Sequence, residues 1–176
     1  IGYTNLPEIT YGFGLGAQWK NWDFNVFFQG VARNSFFVGG SSISSPFSSG
    51  NAERAAINED VYGSVWMSTN TEAQNASAIY PRLSRSGGPG SANNSKTSTW
   101  WLHDGSFMRL KNFEVGYSLP KSLVTKTFIK SLRFYVSGNN LLTFSSFKLW
   151  DPEKGGGQGS GYPLNRVVTL GFNANF

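Results

Sequence analysis

Long runs of alternating apolar and polar residues constrain the fold of this chain more than any other feature. The run VVTLGFNANF occupies residues 167–176 and ends on an aromatic ring. Successive side chains of a strand point to opposite faces, so the even positions share one face and the odd positions share the other. The run therefore predicts an amphipathic strand whose apolar face carries Val168, Leu170, Phe172, Ala174 and Phe176.

Two further alternating runs lie near the start of the sequence. They read ITYGFGLGAQWK from residue 9 and WDFNVFFQGVAR from residue 22, on either side of a very short turn at Asn21. Two such runs across a short turn indicate a β-hairpin. Strands of about ten residues are longer than those of most soluble proteins and match the length that a tilted strand needs to cross a bilayer. Trp19 and Trp22 flank the turn on the apolar face, a position typical of a membrane–water boundary.

The alternation predicts five strands in all. Between them, a Ser-, Asn- and Gly-rich loop with a possible helix over 52–66 fills residues 39–103, and a second loop fills 148–163. The remaining turn carries Lys121, Lys126 and Lys130 without an acidic residue. Short turns at one end of the strands and long loops at the other are typical of bacterial β-barrels. The predicted strands lie near residues 9–20, 22–38, 104–119, 131–147 and 164–176.

Two of these strands depart from the pattern. Arg109 and Lys111 fall on the apolar parity of the third strand. Either a β-bulge shifts the register near Lys111, or the strand has already left the membrane at that point. Asn140 interrupts the apolar parity of the fourth strand.

Composition narrows the class of protein. Charged residues make up 14% of the 176, below the quarter that is usual in soluble domains, and no apolar run reaches the ~20 residues of a transmembrane helix. Cysteine is absent, which excludes disulfides and thiolate metal sites. The net charge of +5 comes from scattered residues, so we expect no nucleic-acid partner. The first residues resemble neither a signal peptide nor a translation start, so we expect a piece of a longer protein.

Residues that could carry bond chemistry are few. His103 stands beside Asp104, but nothing marks a strained nucleophile turn, and we interpret it as a solvated loop histidine. No His, Asp and Glu cluster has the spacing of a metal site. The run GGGQGSG at 155–161 lacks the Lys-Ser/Thr of a phosphate loop. We therefore expect no catalytic, cofactor-binding or metal-binding residue, and no enzyme.

Two classes of protein fit these observations. The first is an all-β membrane barrel, and the second is a soluble β-sandwich that serves as a carbohydrate-binding or adhesin-like module. Several strings favour the first class over the second: YGFGLGAQWKNWDFNVFFQG, YPRL, DGSFMRLKNFEVGYSLPKSL, LRFYVSGNNLLTFSSFKLWDPE and GYPLNRVVTLGFNANF. In order and spacing they resemble the C-terminal end of the SusC/RagA family of TonB-dependent outer-membrane transporters of Bacteroidetes.

The resemblance implies a fold and a set of partners. It implies about five C-terminal strands of an antiparallel transmembrane β-barrel, in the size class of about 22 strands whose lumen is plugged, with long extracellular loops and with the plug outside this chain. The implied partners are the rest of the barrel and plug, a SusD-like surface lipoprotein, TonB acting through the plug, the lipid bilayer, and an oligosaccharide or peptide cargo. The implied location is the bacterial outer membrane.

The same reasoning singles out three groups of residues. Arg33, Glu114 and Arg133 fall on the polar parity, where they would face the lumen or plug or would simply be solvated. Phe172 and Phe176 form a predicted assembly signal. Loop aromatic residues would either contact cargo or lipoprotein or pack within the loop, and these are Trp66, Tyr80, Trp100, Trp101 and Trp150.

Overall fold

The structure, a computed structural model, describes residues 1–38, 62–82, 96–124, 128–156, 162 and 164–176. The strands are β1 (Ile9–Trp19), β2 (Trp22–Ala32), β3 (Ser35–Phe37), β4 (Leu102–Asp104), β5 (Phe107–Ser118), β6 (Ser131–Ser145) and β7 (Val167–Asn175). The short helices are α1 (Glu72–Ala76), α2 (Lys121–Val124) and the 3-10 turns Thr99–Trp101 and Pro152–Lys154. Within these described ranges, no helix has the length and apolarity needed to cross a membrane.

The main sheet has five antiparallel strands in the order β1-β2-β5-β6-β7. Aromatic pairs cross neighbouring strands on its apolar face, each adding to the burial energy of its rings. Phe13 stacks on Phe28 at 5.2 Å, Trp22 tilts against Tyr117 at 4.8 Å, and Phe134 lies 6.4 Å from Phe172 between ring centres.

Nothing in the described part of the chain covers this apolar face. Leu15, Leu170 and Phe172 each expose about two thirds or more of their surface. A β-sandwich would bury such a face under a second sheet. The soluble β-sandwich is therefore the wrong alternative for this chain.

A β-bulge lies at Lys111, as one of the two sequence alternatives predicts. Phe27 pairs with Asn112 and Phe28 pairs with Leu110, so Lys111 is the extra residue of β5. The shift places Leu110 beside Phe28 on the apolar face and turns its neighbour Arg109 to the polar face. At the same level of β6, Asn140 adopts a φ of 55°, a left-handed conformation that Asn tolerates better than most residues. Its side-chain amide donates to the carbonyl of Asn165 at 3.3 Å.

The second predicted strand differs from the structure. The sequence predicts one strand over 22–38, but β2 ends at Ala32, and residues 35–37 form β3 in a separate two-stranded sheet with β4. The break falls at Arg33, whose φ of 54° does not continue a ladder. Residues 102–104 join the same small sheet as β4, so β5 begins at Phe107 instead of residue 104.

Most of the buried apolar side chains pack at the loop end of the strands. This loop-end core brings together residues from four separated segments: Phe36, Val38, Val65, Trp101 and Phe147. Phe36 and Phe147 meet edge to face at 5.0 Å. Val65 forms a β-bridge with Tyr80, although the sequence predicts a possible helix over 52–66. The first part of that predicted helix, residues 52–61, lies outside the described residues, and so does Lys126. The described parts of the long loop therefore pack into a folded core that they share with Phe36, Val38 and Phe147.

A matched pair of substitutions tests this core. Phe36 is 2% exposed and Phe37 is 48% exposed. Phe36→Ala should lower the local opening free energy of the loop end by about 3–5 kcal/mol, the usual cost of deleting a buried aromatic ring. Phe37→Ala should change it little. Native-state amide hydrogen exchange of the full-length protein, followed over residues 96–104 and 147–156, measures the local opening free energy in each variant. Equal protection in the two variants would contradict this core.

Candidate functional site

Three charged side chains from three strands meet on the polar face, near the short-turn end of the sheet. The Arg133 guanidinium donates from Nε to Asp23 at 2.9 Å, and from Nη2 to the second oxygen of Asp23 and to Glu114, the latter at 2.6 Å. Charge-assisted hydrogen bonds of this kind are stronger than neutral ones. Two carboxylates share one guanidinium, so this charge cluster retains a net charge of −1.

A glycine lets these residues meet. Gly116 of β5 lies between Asp23 of β2 and Tyr135 of β6 in the register. Arg133 reaches across β5 through the space above Gly116, where a Cβ atom would overlap the guanidinium. The guanidinium also lies 5.3 Å from the ring centre of Tyr135. Because residue 116 has no side chain, Arg133 of β6 can form hydrogen bonds with Asp23 of β2 across β5.

The structure separates the three charges that the sequence singles out. Glu114 and Arg133 lie together in the cluster, whereas Arg33 lies at the far end of β2. There it pairs with Glu8 at 3.0 Å and lies 5.1 Å from the ring of Tyr3. Sequence reasoning did not single out Asp23. The sequence feature that could have identified Asp23 is its position on the polar parity directly after the turn at Asn21. The register places it beside the end of β5.

A polar groove of about 500 Å³ adjoins the cluster. Its wall includes Asn25, Phe27, Glu114 and Ser137, together with Asn112 and Asn139, whose amides bond to each other at 2.9 Å. Amides both donate and accept hydrogen bonds. Such a wall can hydrogen-bond hydroxyl groups or peptide groups.

A buried ion pair fastens the second loop to the sheet. Arg109 is 2% exposed and donates to Asp151 at 2.5 Å, while Glu153 lies 3.5 Å from Arg109 and 3.6 Å from Lys111. Asp151 also caps the following 3-10 turn by accepting from the Glu153 amide at 3.0 Å. The strings RLKN and DPE, two parts of the family resemblance, are thus in direct contact.

The loop aromatic residues fall into two sets. Trp101 is 6% exposed within the loop-end core, and Trp150 packs against that core and donates to the Gly155 carbonyl at 2.9 Å. Trp66 and Trp100 are exposed and line, with the half-buried Tyr80, one groove of about 470 Å³. The aromatic rings of this groove at the loop end can stack against a sugar ring or an apolar side chain.

His103 is not a solvated loop residue. It lies in β4, half-buried, with its ring 5.6 Å from that of Phe147, and burial lowers its pKa. Among the described residues, no three His, Asp or Glu side chains are grouped closely enough to hold a metal ion.

The two residues of the predicted assembly signal lie on the apolar face. Phe172 pairs with Phe134, and Phe176 stacks on Phe128 at 5.6 Å with the rings 13° apart. Their role in assembly stays a prediction.

The contacts of Arg133 should depend on the absence of a side chain at Gly116. Gly116→Ala should displace Arg133 and lower the free energy of unfolding by about 1–2 kcal/mol, through the loss of charge-assisted hydrogen bonds. Gly16→Ala is the control, because a Cβ atom there would lie 3.9 Å from Asn25 Oδ1 and from the Phe24 carbonyl oxygen, in ordinary van der Waals contact. Urea unfolding of the full-length protein, followed by tryptophan fluorescence, measures both. In an Arg133→Gln background the effect of Gly116→Ala should disappear, and its persistence there would contradict the claim.

Comparison with known proteins supports the family resemblance, although no family model matches the chain. TonB-dependent receptor P3 of Formosa agariphila is 31% identical over 183 residues, and TonB-dependent receptor P26 of that organism is 29% identical over 184 residues. Each match covers 97% of the chain, which spans 16% and 17% of those proteins.

Solved structures agree with these relatives. A structure of the RagAB peptide transporter matches the whole chain with a TM-score of 0.72 and 28% identity. A structure of the RagAB peptide importer in the open-open state matches it with a TM-score of 0.67 and 26% identity. In both, the match covers 18% of the solved chain. The likeness of the whole chain to these receptors and transporters shows that it belongs to the SusC/RagA family of TonB-dependent receptors, and its open five-stranded sheet is part of a large transmembrane β-barrel.

Proposed function

We propose that this chain is part of an outer-membrane importer that takes up an oligosaccharide or a peptide, is driven by TonB, and works with a SusD-like surface lipoprotein. The observation that carries the proposal is the likeness of the whole chain to the RagAB peptide transporter. The chain contributes a wall of the passage and part of its outer mouth. Its task is passage of a cargo without bond chemistry.

The two faces of the sheet have different surroundings in this proposal. The apolar face, with its aromatic pairs, meets lipid, and the short turns lie in the periplasm. The polar face lines the lumen, where the charge cluster and the polar groove contact the plug or the passing cargo. Strands from the rest of the receptor pair with the outer edges of β1 and β7, because lipid does not tolerate unpaired strand edges.

The loop end faces the cell exterior in this proposal. Trp101 is buried in its core and Trp150 packs against that core, whereas Trp66, Tyr80 and Trp100 contact cargo or lipoprotein from the aromatic groove. Flat aromatic surfaces with nearby polar groups suit both sugar rings and peptide side chains.

Uptake assays test this function. Bacteria that lack the full-length gene should stop growing on one oligosaccharide or peptide as sole nutrient, and growth should return with the wild-type gene only when TonB is present. Trp66→Ala together with Trp100→Ala should slow uptake about thirtyfold at low cargo concentration, since two stacking contacts of roughly 1 kcal/mol each are lost. Tyr62→Ala, an exposed aromatic residue that does not line the aromatic groove, is the control. Unchanged growth of the deletion strain on every such nutrient would refute the function.

The lipid-facing side can be tested within one strand. Phe172 lies on the apolar face of β7 and Asn173 on the polar face. Phe172→Arg should cost about 2–4 kcal/mol if the side chain lies near the bilayer midplane, whereas Asn173→Arg should cost less than half of that. Unfolding of the full-length barrel in lipid vesicles, scored by heat-modifiable gel mobility, compares the variants. Equal stability of both would place β7 outside the membrane.

A further inference from the structure

The end of the sheet with the short turns carries exposed lysines and aromatic rings. We call these residues the turn-end rim: Trp19, Lys20, Trp22, Lys121, Phe128, Lys130 and Phe176. Backbone hydrogen bonds bring their segments to one edge, because Ser118 donates to Asn21 at 2.8 Å and Lys130 donates to Asn175 at 2.7 Å.

The aromatic rings of the rim lie on the apolar face. Trp19 is 67% exposed, and the Lys20 ammonium lies 4.6 Å from its ring centre. Phe128 is 80% exposed and stacks on Phe176, so the turn after β5 folds toward the apolar side of β7. Exposed aromatic rings at the end of a barrel strand lie at the level of lipid headgroups.

The charges of the rim have one sign. Lys20, Lys121 and Lys130 are all exposed. The acidic side chains that the described part of the chain places nearest this end are Asp23 and Glu114, which both bind Arg133 on the opposite, polar face. The three lysines therefore lie exposed at this end, and no acidic residue of the described chain forms an ion pair with them.

We propose that the turn-end rim binds the headgroups of anionic phospholipids, of which phosphatidylglycerol is the simplest. The rings would rest at the boundary between acyl chains and headgroups, and the ammonium groups would reach the phosphates. A zwitterionic headgroup would gain less, because its own positive charge opposes the lysines. The proposal rests on the barrel fold and is independent of the cargo.

Native mass spectrometry of the full-length receptor in detergent, titrated with phosphatidylglycerol, tests the proposal. The rim variant combines Lys20→Gln, Lys121→Gln and Lys130→Gln. Each lysine near an anionic surface contributes about a fivefold gain in affinity, so the rim variant should bind phosphatidylglycerol more than tenfold more weakly. Phosphatidylcholine should bind wild type and variant alike. Only protein with the heat-modifiable mobility of a folded barrel is measured, so a folding defect cannot imitate lost binding.

Two control variants isolate position and charge. Lys96→Gln, Lys148→Gln and Lys154→Gln remove the same charge at the loop end and should leave phosphatidylglycerol binding unchanged. Replacement of the three rim lysines by Arg should preserve it. Equal affinity of wild type and rim variant would overturn the proposal. Displacement of the lipid by millimolar inorganic phosphate would also overturn it, since the rim would then be a site for a free anion.

Discussion

An apolar sheet face that the described chain leaves uncovered is the constraint on which the rest of the structure depends. In lipid, a charge near the midplane of such a face costs a few kcal/mol, and so does each unpaired backbone amide. The sheet avoids the first cost because aromatic pairs, and not charges, occupy that face. It avoids the second because β2, β5 and β6 are hydrogen-bonded to a strand on each side. β1 and β7 each have one edge without a described partner, so further strands of the receptor must complete the ladder.

The same constraint explains where the charges lie. Without the bulge at Lys111, Arg109 would share the apolar parity of Phe113, whereas the shifted register places it inside, against Asp151. Arg133 already lies on the polar parity near the other end, where the missing side chain of Gly116 lets it satisfy two carboxylates. One extra residue thus turns Arg109 away from the apolar face, and one absent side chain pairs Arg133 with its acidic partners.

Alternation predicted the five long strands because a sheet between lipid and lumen imposes a period of two on every strand. It did not predict the end of β2 at Ala32, because Phe36 and Val38 resume the apolar parity after Asn34, whereas Arg33 adopts a left-handed conformation that ends the ladder. The loop-end core depends on contacts between distant segments, such as Phe36 with Phe147. Adjacent Trp100 and Trp101 look equivalent in the sequence, yet one is exposed and the other buried.

The ion pair of Arg109 with Asp151 links the two parts of the structure. Removing one partner of a buried ion pair typically costs about 3–5 kcal/mol, so the loop at 151–156 cannot leave β5 without a large penalty. The loop-end core includes Phe147 and is packed by Trp150, both adjacent to that anchor. The ion pair and this packing together oppose movement of the loop-end core relative to the barrel wall. Differences in recognition among receptors with this arrangement should then arise from exposed positions such as Trp66 and Trp100, which can change without disturbing the anchor.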